Sequence, residues 1–128
     1  MLGQNSNKRF DLKKIEEILI SIKNDGELEG VLFSTREGNS ISKAMDQDFE
    51  SNEFIAMTAS VIDSAEDLMN TISENKVDKI ITELEGQSII ILGCEKNTFL
   101  TLIVGMGTKV EEILENIDEY IQKIMEAY

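Results

Sequence analysis

Several residue types are missing from this chain, and each absence narrows the chemistry available to it. The 128 residues include no proline, no tryptophan and no histidine. Without histidine, the chain lacks the usual general base near neutral pH and also the commonest metal ligand. We therefore expect a protein that is not an enzyme, with no catalytic residue, no metal site and no cofactor.

Cysteine is scarce as well, because Cys94 is the only one and an intramolecular disulfide cannot form. This favours a reducing, cytoplasmic setting. A nucleophilic role for Cys94 would need a base, a cationic neighbour or a helix N-terminus to activate the thiol. Lys96 is close in sequence, but a predicted turn lies between them. Since Cys94 shares a strand face with Ile90 and Leu92, we expect it to serve as a small buried apolar side chain.

Positive charge is in short supply, with 12 Lys and Arg against 25 Asp and Glu and a net charge of −13. Nucleic acids and anionic membrane surfaces are bound mainly by cations, so we expect neither as a partner. The longest apolar run, 89–94, is far shorter than the roughly 20 residues that cross a membrane. Residues 1–10 contain no signal-peptide core and are predicted to form a flexible tail, which leaves 11–128 as one domain.

The acidic stretch 46–50 places carboxylates at alternate positions, as at the start of a calcium-binding loop. An EF-hand needs Gly at loop position 6 and Glu at position 12, where this chain has Ser51 and Met57. The match fails, so the stretch is interpreted as a solvated linker. Together with the helix that follows, it could steer a basic partner through a set of carboxylates: Asp46, Asp48, Glu50, Glu53, Asp63, Glu66 and Asp67.

Hydrophobic periodicity predicts eight elements in the order α-β-β-α-β-β-β-α. A first helix begins after the N-cap Asp11 and stops at Gly26. Two strands, 31–34 and 40–45, form a hairpin in which Ile41 and Met45 share one face. A long helix covers 52–75, strands cover 77–84, 88–94 and 99–104, and a last helix follows Thr108.

The pattern of the strands predicts a three-layer α/β/α architecture around a five-stranded antiparallel sheet. Strand 88–94 is apolar on both faces, as expected for a strand covered by helices on each side. Strand 77–84 instead mixes apolar and charged residues, which suits a sheet edge. The preceding helix has an apolar arc of about 160°, wider than packing on one sheet requires.

The wide helix and the adjacent edge strand together indicate a homodimer in which both form the seam. Periodicity does not decide which of their residues face the protein core instead. The predicted interface residues are Phe54, Thr58, Val61, Ile62, Ala65, Leu68, Met69, Ile80, Thr82 and Leu84.

The element order and three segments resemble the roadblock family, the dynein light-chain roadblock proteins and their prokaryotic relatives. The segments are LEGVLFSTREGNSIS with Gly30 and Gly38, FIAMTASVIDSAEDLM, and ITELEGQSIIILGCEKNTFLTLIV with Gly86. The resemblance covers nearly the whole chain, but none of these segments is a catalytic signature. It implies dimers in which the third strand pairs across a two-fold axis and the central helices lie side by side.

The same resemblance implies a function as a non-catalytic scaffold or regulator. Roadblock proteins bind small Ras-like GTPases, motor subunits or other roadblock-type and longin-type domains, and the family defines no universal contact residues. The alternative function is a small-molecule-binding sensory or regulatory module, which would need a pocket with a few converging polar groups. The apolar stripes of this sequence contain no such polar cluster.

Overall fold

The structure is a computed structural model that describes residues 11–46, 50–73, 76–108 and 110–128. The predicted tail 1–10 and Asp48 of the predicted linker lie outside these residues. The eight elements follow the predicted order α-β-β-α-β-β-β-α. They are α1 (Leu12–Gly26), β1 (Gly30–Thr35), β2 (Ser40–Met45), α2 (Asn52–Asn70), β3 (Lys79–Leu84), β4 (Gln87–Cys94), β5 (Thr98–Val104) and α3 (Val110–Ala127).

The five strands form one antiparallel sheet in the order β2-β1-β5-β4-β3, with helices on both faces. Helices α1 and α3 cover one face through a core that includes Phe33, Leu92 and Leu102. Helix α2 covers the other face, over Leu32 and Phe99. The predicted three-layer architecture is confirmed, and so is the position of β3 at an edge of the sheet.

Helix α1 begins and ends at the predicted residues, but its C-terminal cap differs from the one expected. The Asp11 side chain accepts a hydrogen bond from the Lys14 amide at 3.1 Å, which satisfies one free donor of the first turn. At the other end, Gly26 is still helical and Glu27 takes the left-handed conformation, with φ 55°. A larger residue would not fit at position 26, because a Cβ there would lie 2.4 Å from Ile113 Cγ1 of α3. The predicted end at Gly26 is confirmed, but Glu27 takes the left-handed position expected of a glycine, and Gly26 is needed for its small size.

The β1–β2 hairpin contains an irregularity that its alternating sequence does not reveal. Phe33 pairs with Ser42 and Ser34 pairs with Ser40, so the register passes over Ile41. This β-bulge reverses the alternation of side chains along β2. Ile41 therefore packs toward α1 and α3, whereas Met45 packs toward α2, and the prediction that they share a face was wrong.

The centre of the sheet is the apolar hairpin of β4 and β5. Every residue of β5 is buried. The two strands are joined by a tight turn in which Lys96 and Asn97 have φ of 60° and 57°. The loop has three residues, 95–97, because Cys94 pairs with Thr98 across it. This hairpin gives the remaining elements a rigid base, with β3 added at its outer side.

Candidate interaction surface on α2 and the β3 edge

Helix α2 carries two apolar stripes, of which only one is buried. Ile55, Ala59 and Ile62 lie against the sheet and are at most 5% exposed. Met57, Val61 and Leu68, which we call the α2 flank, are 62%, 45% and 65% exposed. Their spacing of four and seven residues aligns them along one side of the helix. This second stripe accounts for the unusual width of the apolar arc.

The orientation of α2 is set from its opposite side, where it meets the β1–β2 turn. Arg36 in that turn donates from Nη2 to Asp63 Oδ1 at 2.9 Å and to Glu66 Oε1 at 2.6 Å. The pKa of Arg36 is raised, first because of the hydrogen bond to Glu66. Gly38, with φ 99°, lies close against Ala56 of the helix. Since the hairpin and β3 lie at opposite edges of the sheet, the α2 flank is directed toward the β3 side.

Strand β3 is paired on one side only, because it is the last strand in the sheet order. Ile80 pairs with Ile91 and Thr82 with Ile89, so these two β3 residues share the sheet face that α2 covers. Ile80 is half-buried, Thr82 is exposed and Leu84 is 57% exposed. The free main-chain groups of such an edge are able to pair with another strand.

The predicted interface residues separate into three groups by exposure. Val61, Leu68, Met69, Thr82 and Leu84 are exposed, and Phe54, Ala65 and Ile80 are half-buried. Thr58 and Ile62 are buried beneath the helix, where the Thr58 hydroxyl donates to the Phe54 carbonyl at 2.8 Å. These last two belong to the core of the protomer. Met57 and Ile72, which are not among the predicted interface residues, are 62% and 77% exposed and lie within the same apolar arc.

Several of the carboxylates predicted to steer a basic partner are already occupied within the chain. Asp46 forms an ion pair with Lys23, and Glu50 accepts a hydrogen bond from the Asn52 amide at 3.1 Å. Arg36 holds Asp63 and Glu66, as described above. Glu53 and Asp67 are exposed on α2. Fewer carboxylates on this side of the molecule are therefore available to attract a basic partner than the sequence suggests.

Cys94 is placed as predicted, on the face of β4 that packs toward α1 and α3. Burial raises the pKa of its thiol to about 12. Lys96 is directed elsewhere, since its Nζ donates to the Met125 carbonyl at 3.0 Å. Among the described residues, no group of three or more acidic or cysteine side chains could hold a metal ion. Within the same residues, no helix has the length and apolar character of a membrane span.

Comparison of this chain with known proteins found matches among solved structures but none by sequence. No model of a known protein family matches the sequence. No curated protein matches it in a sequence search either.

Solved structures, in contrast, match closely. MglB of Myxococcus xanthus has a TM-score of 0.84 at 18% identity and covers 91% of this chain and 88% of its own. An MglB in a tetrameric arrangement has a TM-score of 0.81 at 11% identity, covering 91% and 92%. A Roadblock/LC7 domain of Streptomyces avermitilis has a TM-score of 0.79 at 8% identity, covering 86% and 93%.

The chain therefore has the roadblock fold, and the resemblance seen in the sequence is confirmed at that level. The likeness extends over most of this chain and of each of the three structures. At these identities it concerns the path of the backbone. The function of the exposed surface has to be argued from its own residues.

Proposed function

We propose that this chain is a non-catalytic scaffold or regulator that acts as a homodimer and binds a small Ras-like GTPase. Residues 11–128 would form a single roadblock-like domain in a prokaryotic cytoplasm. The proposal rests on two features on one side of the molecule that lack a covering element. They are the exposed α2 flank and the unpaired β3 edge.

A two-fold axis beside β3 would complete both features at once. Two copies of the same strand related by such an axis run antiparallel, which is the pairing already used throughout this sheet. Each large apolar side chain that becomes fully buried contributes about 1.5–3 kcal/mol. Met57, Val61 and Leu68 of both copies would thus provide a substantial driving force, since all three are largely exposed in the single chain.

Self-association is supported by one structural neighbour, an MglB in a tetrameric arrangement. The resemblance to the roadblock family supports the GTPase as partner. A non-catalytic role agrees with the lack of histidine and with a Cys94 thiol whose pKa of about 12 keeps it protonated near neutral pH.

One set of proteins tests both levels of the proposal. Leu68→Asp places a charge on the α2 flank, and Ser60→Asp places the same charge at an exposed polar position of the same helix. Light scattering should give twice the chain mass of 14.4 kDa for the native protein and for Ser60→Asp, but a single chain for Leu68→Asp. The native protein is then used to capture partners from its own organism with GDP or GTP added.

Capture of a Ras-like GTPase in one nucleotide state is the expected result. A native protein that remains a 14.4 kDa monomer at micromolar concentration would contradict the dimer. If the protein is a dimer but captures no GTPase with either nucleotide, the proposed scaffold function stands and the proposed GTPase partner is contradicted.

A further inference from the structure

A groove lies between α3 and β3, on the face of the sheet opposite to α2. Helices α1 and α3 lie side by side on this face, but Ile81 of β3 is still 49% exposed. Next to it is a cavity of about 180 Å³ with a largely polar accessible surface, lined by Asp78, Lys79, Leu92, Gly93, Leu114, Ile117, Asp118 and Ile121. We call this cavity and its shallow continuation the α3 groove.

The continuation of the α3 groove is wide and open toward the end of α3. It has a volume of about 490 Å³ and is lined by residues that include Gln122 and Met125. Asp118 and Ile121 line both parts, so the two cavities form one continuous surface. Leu114, Ile121 and Met125 are all half-buried and lie on the side of α3 that faces away from α1. This side of the helix presents these three apolar side chains and has no covering element in the described part of the chain.

The rim of the α3 groove carries more negative than positive charge. Its carboxylates are Asp78, Glu95, Asp118 and Glu126, and Lys79 is the one cation among the lining residues. In the ranges that the structure describes, none of these four carboxylates takes part in an ion pair. A surface with these apolar side chains and a mainly acidic rim is complementary to a segment that is apolar on one side and basic on the other.

We propose that the α3 groove docks a basic amphipathic helix of a partner protein, with apolar residues on Leu114, Ile121 and Met125 and cations toward Asp118 and Glu95. A helix is favoured because α1 and α3 already form a helical layer on this face. A third helix of about 10 Å diameter beside α3 would continue that layer over β3. A second copy of this chain is a poor occupant, since each copy carries a net charge of −13.

This proposal goes beyond the homodimer and the GTPase, because the α3 groove and the α2 flank lie on opposite faces of the sheet. A partner helix in the groove would leave the α2 flank free to form the dimer seam. The chain would then hold a second copy of itself through α2 and β3, and a partner helix through the α3 groove.

The probe is a fluorescein-labelled synthetic peptide of about 18 residues, which makes about five helical turns. Its leucines lie at helical spacing on one side and its lysines on the other. A peptide of the same composition with the order scrambled serves as control. Fluorescence anisotropy against the full chain is measured in about 0.1 M NaCl, where charges more than about 10 Å apart are largely screened.

Two protein variants with the same change in net charge separate the groove from general attraction. Asp118→Lys reverses a charge on the groove rim, and Glu17→Lys reverses an exposed charge on α1. We expect Asp118→Lys to weaken binding of the amphipathic peptide by about tenfold or more, and Glu17→Lys by about twofold or less. In the native protein, the amide NMR shifts caused by the peptide should lie in residues 78–81 and 114–125.

Three results would overturn the proposal. Equal weakening by the two variants, or equal binding of the scrambled peptide, would show general attraction to an acidic protein. Shifts confined to α2 would place the peptide on the other face. Tighter binding by the full chain carrying Lys8→Glu and Arg9→Glu would assign the groove to residues near the start of this same chain.

Discussion

At the scale of single residues, Cys94 shows how the environment of a side chain determines its chemistry. The thiol packs on the α1 and α3 side of the sheet, and its Sγ donates weakly to the Leu92 carbonyl at 3.7 Å. Loss of solvation is the largest cause of its raised pKa, and the negative charge of Glu95 adds to it. A thiol with a pKa of about 12 is neutral, and so unreactive, throughout the physiological range.

Cys94 also predicts a change of stability with pH. Its pKa is about 12 in the folded chain and near the ordinary value of 9 when unfolded, so folding favours the neutral thiol. This contribution is complete below pH 9 and is lost as the pH rises from 9 toward 12. Between pH 8 and 10.5 the native protein should therefore lose up to about 2 kcal/mol more stability than Cys94→Ala.

Urea unfolding at the two pH values measures this difference. Tyr120, whose pKa is also raised to about 12, is present in both proteins and cancels in the comparison. Parallel loss of stability in the native protein and the variant would contradict the expected role of the thiol.

At the scale of elements, the contact of the β1–β2 turn with α2 determines which stripe of that helix remains exposed. One guanidinium group joins two carboxylates one turn apart on the helix, Asp63 and Glu66. The Glu66 side chain is 23% exposed, whereas the Asp63 side chain is 63% exposed. Since solvent screening weakens exposed ion pairs, the Glu66 contact contributes more to holding α2 in place.

Substitutions in this contact should rank by exposure. We expect Glu66→Gln to lower the free energy of unfolding by about 1 kcal/mol, and Asp63→Asn to lower it by about half as much. Arg36→Lys should cost about 1 kcal/mol, because the lysine ammonium is one bond shorter in reach than Nη2, which donates to both carboxylates. Urea unfolding followed by circular dichroism gives the values. A larger loss for Asp63→Asn than for Glu66→Gln would contradict this ranking.

The elements themselves were largely predictable from the sequence, and the exceptions have physical causes. Order and type followed from periodicity, because each helix and strand buries a face of the matching period. The β-bulge at Ile41 was missed because the extra residue shows only in the pairing of β2 with β1. The role of Gly26 was missed because its neighbour Ile113 lies 87 positions away in sequence (113 − 26) and meets it only in the fold.

At the scale of the whole molecule, the sequence did not determine which apolar residues of the long helix are exposed. The sequence indicated an excess of apolar surface on the helix 52–75 because the arc was too wide for one contact. It could not separate Ile62 from Val61, since core and interface both select apolar residues. Packing on the sheet determines which of the two residues is buried, since Ile62 is 3% exposed and Val61 is 45% exposed.

A homodimer also predicts a dependence of stability on protein concentration. Association stabilises the folded state by mass action, so the melting temperature of the native protein should rise with protein concentration. Leu68→Asp should melt at a temperature that does not change over a hundredfold range of concentration. Ser60→Asp should follow the native protein. A native melting temperature independent of concentration would argue that the α2 flank remains exposed in solution.

The bulge at Ile41 has a consequence for how far such an assembly can grow. A sheet with two regular edges would add chains at both ends and extend into a filament. Here β3 has an unbroken six-residue register with β4, whereas the register of β2 with β1 is interrupted at residue 41. Bulged strands are poor templates for further pairing. Joining two β3 edges leaves only β2 strands facing outward, so polymerisation by edge pairing stops at two chains.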